Sequence, residues 1–133
     1  VTETLFNSQK DKNIPNIEKQ KTIEPVFLTE KTFKPIKMKM PFIVYGQPYV
    51  LKTLKKYGYK TFSSFWDESY DEIENNWSRK QSIVNLIIKL NQYSTKELYD
   101  LVQNMNEILQ YNYDHMMKRV PEENLINIIN DIK

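Results

Sequence analysis

Five carboxylates crowd one stretch of the chain, Asp67, Glu68, Asp71, Glu72 and Glu74, around Tyr70 and directly after Trp66. Carboxylates beside aromatic rings suit a sugar, because they accept hydrogen bonds from its hydroxyls while a ring face stacks on it. Trp66, Glu68, Tyr70 and Asp71 are therefore candidates for acceptor contacts. The same residues also suit a loop in which Phe65 and Trp66 anchor the chain to the core and the acids stay solvated. Spacing alone assigns no acid and base roles among them. A second cluster is Thr29-Glu30-Lys31 with Lys34. If Thr29 caps a helix, the first-turn amides favour an anion, and Glu30 beside it could accept from ribose hydroxyls. The alternative is that Glu30 complements the helix dipole and pairs with Lys34 four residues on, worth a few tenths of a kcal/mol.

Other chemistries lack their residues. His115 is the only histidine, lies late in a helical pattern with no nucleophile-elbow sequence nearby, and reads as structural. With no Cys there is no thiolate, disulfide or thiolate metal site, and no carboxylate–histidine spacing supports zinc. Neither G-x-G-x-x-G nor G-x-x-x-x-G-K-[ST] occurs, which leaves dinucleotide redox chemistry and P-loop phosphoryl transfer unsupported.

The elements that must position these residues can be sketched from periodicity. Val1 to Phe6 alternates weakly, as at a strand end, and residues 7–24 are polar with Pro15 near the middle, as in a flexible loop or insertion. A helix opens at Thr29 and is limited or kinked by Pro35 after about two turns. Pro41-Phe42-Ile43-Val44-Tyr45-Gly46 is a short apolar run closed by glycine, as in a buried parallel strand. Pro48 suits the first position of a helix with Leu51 and Leu54 on one face and Gly58 at its stop; Tyr59 to Phe62 then reads as a second strand. Together these form a βαβ unit. Residues 78–132 are helical: a wide apolar face from Ser78 to Leu90 expected to lie on the sheet, a capping box at Ser94-Thr95-Lys96-Glu97 opening a helix to about Lys118, and a last helix from Pro121 with Leu125, Ile128, Ile129 and Ile132 on one side. The expected fold class is α/β, a small parallel Rossmann-like sheet followed by a helical C-terminal region.

Length and composition bound this. The 133 residues, 16.0 kDa and 40% hydrophobic content fit one domain with one core. No apolar run approaches the ~20 residues of a membrane span. Ala is absent, while Ile, Lys and Asn make up 44 residues, the mark of a low-GC genome. Residues 1–66 carry 12 Lys against 5 acids, and residues 67–133 carry 7 basic against 12 acidic side chains. The basic half suits an anion, although a net charge of +2 and lysines not interleaved with a stacking platform argue against specific nucleic-acid binding. With neither signal segment nor Cys, the expected location is cytoplasmic. The chain starts at Val1 without an initiator Met, as a processed or partial chain would.

Phe27-Leu28-Thr29-Glu30-Lys31, followed about ten residues later by Pro41 to Gly46, resembles the Tyr-x-Thr-Glu-Lys helix start and Pro-Val-x-x-Gly strand in the C-terminal, nucleotide-sugar-binding half of fucosyltransferases and related GT-B glycosyltransferases. Leu51-Lys52-Thr53-Leu54, Gly58-Tyr59-Lys60-Thr61-Phe62 and Trp66-Asp67-Glu68-Ser69-Tyr70-Asp71 are similar to a pattern in phage and environmental glycosyltransferase-like proteins. The resemblance covers about residues 25–118. It implies a donor site for a GDP- or UDP-linked sugar, with Glu30 on the ribose, Lys31 on the diphosphate and Thr29 capping the helix, and with Lys34 and the strand-end Gly46 nearby. No metal or other cofactor is implied. Phe27 replaces the family's Tyr and loses its hydroxyl. The family's acceptor site and general base lie on an N-terminal domain, so the expectation is a nucleotide-sugar-binding half, not catalytic alone and missing that partner domain. The alternative is a non-catalytic interaction or structural domain of viral or environmental origin.

Overall fold

Thr29 sits in extended backbone and its hydroxyl accepts from the Lys31 amide at 3.3 Å, which starts helix α1 (Glu30–Lys37) at the expected place. Pro35 lies within its last turn, and the helix ends two residues later. The computed structural model describes residues 26–119. Among them four further helices follow: α2 (Val50–Lys56), α3 (Asn76–Asn91), α4 (Thr95–Asn104) and α5 (Asn106–Arg119), with one 3-10 turn at Ser69–Glu72. The expected strand at Val1 to Phe6, the loop 7–24 and the helix after Pro121 lie outside the described residues.

The parallel Rossmann-like sheet is not there: the described residues contain no strand, only a single bridge position at Tyr45. The physical reason is specific. Pro41 to Gly46 does run with period-2 burial, with Phe42, Val44 and Gly46 buried and the residues between them half-buried. At Val44, however, the amide goes to a side chain, donating to the Tyr70 hydroxyl at 3.3 Å. In the second expected strand, Asn112 of α5 takes both backbone groups of Lys60, accepting from its N–H and donating to its C=O, each at 2.8 Å. The Phe62 amide goes to Glu68. At Val44, Lys60 and Phe62 a side chain thus takes the backbone group that a neighbouring strand would pair.

Between these segments α2 forms much as expected, with Leu51 and Leu54 buried, although it opens at Val50, two residues after Pro48. Gly58 follows its end with φ +91, a backbone region open to glycine, and a Cβ there would stand 2.8 Å from the His115 ring. The capping box is made: Ser94 Oγ accepts from the Glu97 amide at 3.2 Å and Glu97 accepts from the Ser94 amide at 2.7 Å. The long helix expected from it breaks at Met105, a fully buried residue. α5 packs on α1 as well as against α4.

The 3-10 turn packs on α2 and α3. The core is continuous through Ile36, Phe42, Leu54, Phe62, Met105 and Leu109, with Phe42 and Phe62 in an edge-to-face pair at 5.1 Å. α3 buries Ile83 and Leu86 but leaves Val84, Ile87 and Ile88 exposed, and no described strand lies on that side. No helix among the described residues is long and apolar enough to cross a membrane.

Candidate functional site

Two of the four residues singled out in the acidic segment are committed to holding the fold. α2 begins after Tyr49, which has φ 69 and provides no side-chain cap. Asp71 supplies the cap from the 3-10 turn instead: its Oδ1 accepts from the Leu51 amide and its Oδ2 from the Lys52 amide, both at 2.9 Å. The Tyr49 amide donates to the Asp71 carbonyl at 2.7 Å. Burial pushes the Asp71 carboxyl above its ordinary range in spite of these two amides. Tyr70 is buried beneath, its hydroxyl on Val44, and burial raises its phenol well above the usual value.

Trp66 and Glu68 instead line a cleft of about 350 Å3 between α2 and the segment from Ser63 to Glu72. Leu51, Lys52 and Lys55 form its α2 wall. Asp67, on the rim, accepts from the Ser69 amide at 2.9 Å and the Ser69 hydroxyl at 3.0 Å, which holds its carboxyl below the usual range. Glu68 Oε1 accepts from the Phe62 amide at 2.8 Å. Its other oxygen, Oε2, is buried with the Thr61 side chain beside it, and the Trp66 indole N–H is buried without a hydrogen-bond partner. Burial pushes the Glu68 carboxyl up, outweighing the Thr61 side chain and Phe62 amide, which favour the ionised form. The Trp66 ring leans on Phe62 at 5.4 Å, which fixes the indole at the cleft wall.

Four carboxylates, Asp67, Glu68, Asp71 and Glu72, line this cleft against two ammonium groups, Lys52 and Lys55. That balance repels a diphosphate and suits a neutral, hydroxyl-rich ligand. No group of three His, Asp or Glu side chains among the described residues is placed to hold a metal ion.

The residues expected at the donor site are not gathered into a pocket. Glu30, Lys31 and Lys34 are exposed on α1, with Thr29 half-buried as its cap. The neighbouring cleft, about 430 Å3, is lined by Val26, Phe27, Leu28, Phe33, Tyr57 and Tyr59 and includes none of the four. Gly46 is buried and lines neither cleft; its carbonyl accepts from Arg79 Nε at 2.9 Å. His115 is structural, its Nε2 2.8 Å from the Tyr57 carbonyl and its ring stacked with Tyr111 at 5.9 Å.

Sequence reasoning missed Lys52, Lys55 and Ser63 in the cleft, and Arg79 behind it. Arg79 is 1% exposed. Besides Gly46 it donates to the Ile73 carbonyl at 2.9 Å, the Glu74 carbonyl at 3.3 Å and Asn76 Oδ1 at 2.6 Å. This clamp ties the C-terminal end of the segment that carries Tyr70 and Asp71 to Gly46. Its signal was present: a chain with 17 Lys and only two Arg places one arginine where a planar fork of donors is needed. Compared with protein-family models, curated proteins and solved structures, the chain shows no match.

Proposed function

We propose that the chain is a sugar-binding, non-catalytic unit of a glycosyltransferase-like protein, with the cleft between α2 and the 3-10 turn as its site. The observation that carries this reading is the Trp66 indole N–H, buried without a hydrogen-bond partner in a residue that lines the cleft beside Glu68, while Asp67 and Asp71 are engaged by backbone amides. Buried polar groups are rarely left without partners, so a ligand hydroxyl that accepts from the indole and donates to Glu68 completes the pairing. Lys52, Lys55 and Ser63 add donors at the rim. The volume falls within the ~300–1,000 Å3 of small-molecule clefts and fits one or two sugar rings. The excess of carboxylates favours a neutral saccharide over a nucleoside diphosphate. A donor nucleotide at Thr29, Glu30, Lys31 and Lys34 has the resemblance to glycosyltransferases as its support. No bond-breaking step is part of the reading: Asp67 and Asp71 are both engaged by backbone amides, and Glu68 offers a single oxygen.

The test is a titration of the isotope-labelled chain, followed by NMR, with neutral mono- and disaccharides, with GDP and UDP, and with their sugar conjugates. The expected result is millimolar saccharide binding that moves the Trp66 indole signal and the Lys52 and Ser69 amides, and that is lost in Trp66→Phe and Glu68→Ala. Absence of any saccharide shift sinks the proposal. Shifts confined to Lys31 and Lys34 on adding nucleotide alone return the site to α1.

A further inference from the structure

Among the described residues Lys39, Tyr49 and Gly58 have positive φ. Lys39 follows Met38, the C-cap of α1, and Gly58 follows Tyr57, the C-cap of α2, the position at which helices commonly turn left-handed. Tyr49 stands at the opposite end of a helix. The residues that open α1, α3 and α4, namely Thr29, Asn75 and Ser94, are extended and cap with their own side chains, as helix starts ordinarily do. Tyr49 opens α2 at φ 69 and ψ 19 with no side-chain cap, a conformation that a bulky residue keeps only where its surroundings impose it. Those surroundings are both walls of the sugar cleft. On the turn side, the Tyr49 amide donates to the Asp71 carbonyl at 2.7 Å and its hydroxyl to Glu74 Oε1 at 2.9 Å. On the α2 side, the ammonium of Lys52, a cleft residue, lies 5.5 Å from the centroid of the Tyr49 ring. The hydrogen bond to Glu74 holds the phenol above its ordinary value, so the hydroxyl remains the donor.

We propose that Tyr49 is a positioning residue of the saccharide cleft, its ring holding the Lys52 ammonium at the α2 wall, where it donates to a ligand hydroxyl. The proposal rests on the reading of the cleft given above and adds the residue that fixes one of its donors. Lysine is a point charge on a flexible four-carbon stem, and ordering it on binding costs rotamer freedom. A ring face beneath the ammonium reduces that cost before the ligand arrives. The backbone fixes where the ring stands: the amide of residue 49 is held by Asp71, and its carbonyl accepts from the Thr53 amide at 2.9 Å and the Thr53 hydroxyl at 2.8 Å. Stability does not account for the tyrosine. Lys52 and Glu74 are exposed, so its two side-chain contacts add little to the fold, and a Ser or Asn in its place would cap α2 in the ordinary way. A residue that stands against its local preference in this manner is the kind found at ligand sites.

The experiment titrates glucose, galactose, N-acetylglucosamine and lactose into the isotope-labelled full chain, followed by NMR at the Trp66 indole signal. The parent is compared with Tyr49→Phe and Tyr49→Leu, each also in a Lys52→Ala background. Phe and Leu both carry a Cβ at φ 69, and only Phe keeps a ring face. Tyr49→Leu is expected to bind about 2- to 5-fold more weakly than Tyr49→Phe, the effect of one exposed cation–π contact. In Lys52→Ala that difference is expected to vanish, which a merely structural role of the ring would not produce. The ligand-free parent gives a check that needs no variant: the Lys52 ε-methylene protons are expected to be shifted upfield by the ring relative to an ordinary lysine. A parent that binds none of the four saccharides overturns the reading of the cleft and this proposal with it. A parent that binds, with Phe and Leu variants equal in affinity or differing as much without Lys52, overturns the role of Tyr49 alone. So does an unshifted Lys52 signal.

Discussion

Replacing Arg79 with lysine keeps the charge and removes the fork, and this separates a geometric clamp from a buried cation. Arg79 uses Nε and both terminal nitrogens on four acceptors: the carbonyls of Gly46, Ile73 and Glu74 and the Asn76 side chain. The Nε donor faces Gly46 while the terminal nitrogens face residues 73–76, so a single ammonium reaches one group or the other. At least two acceptors are then left without a donor. An orphaned buried acceptor costs about 1–3 kcal/mol, and because most of these groups are only partly buried the lower half of that range applies, giving roughly 2–4 kcal/mol for R79K. Against a total of ~5–15 kcal/mol this is severe. With a urea slope of ~1.5 kcal/mol/M the unfolding midpoint falls by about 1.3–2.7 M at unchanged slope. R79M, which satisfies none of the four, falls further. Amide exchange at Leu51 and Lys52 is expected to accelerate in R79K as Asp71 loses its fixed position. If R79K unfolds within about 0.5 kcal/mol of the parent and those two amides stay protected, the clamp argument is wrong.

Gly58→Ala combines a positive φ with a Cβ 2.8 Å from the His115 ring, and is expected to destabilise by about 1–3 kcal/mol in thermal unfolding. In a His115→Ala background the clash disappears and the backbone strain stays, so the cost should shrink without vanishing; an unchanged cost would mean the ring simply moves aside. Asn112→Leu keeps the volume of a buried side chain but strips the Lys60 amide and carbonyl of their partners, for an expected loss of about 2–4 kcal/mol in urea titration, and a loss under 1 kcal/mol would refute that pairing. Glu68 has a raised carboxyl pKa in the fold, so the folded state holds its proton longer than the unfolded chain as pH rises, and stability is lost from about pH 4.3 up through the folded pKa. Glu68→Gln, which can still accept from Phe62, is expected to be the more stable protein at pH 7 and to lose that advantage by pH 4; no difference at pH 7 would mean the carboxyl is not desolvated.

What could be read from the sequence was what depends on contacts three or four residues apart. Thr29 caps α1, and Ser94 and Glu97 make their capping box, because donor and acceptor are fixed by the first turn itself. The strands failed for the converse reason. Pro41 to Gly46 has the alternation of a strand in its burial, but a sheet needs a second chain segment, and here the Tyr70 hydroxyl takes the place at Val44. Tyr59 to Phe62 was assigned by the same logic and met Asn112 and Glu68, 52 and 6 residues away along the chain. Nothing in the local pattern distinguishes a carbonyl on a strand from an amide on a helix as the partner. α3 shows a related limit: its apolar residues span both sides, and periodicity does not say which side is covered.

The acidic segment shows how the same limit acts on function. Its residue types promise a carboxylate site, and four of its members were legible as candidates, yet what separates them is which oxygen a distant amide has already taken. Asp71 is lost to α2 because Tyr49, at φ 69, leaves that helix without a cap of its own, a feature set one element earlier in the chain. Glu68 gives one oxygen to the Phe62 amide and has only the Thr61 side chain at the other, with no backbone amide on it. An uncapped helix beginning near an acidic turn is therefore a reason to assign one acid to the fold before assigning any to a ligand. Applied to this chain, it leaves Glu68 and Trp66, with the Lys52 and Lys55 wall opposite, as the part of the segment free to act on something else.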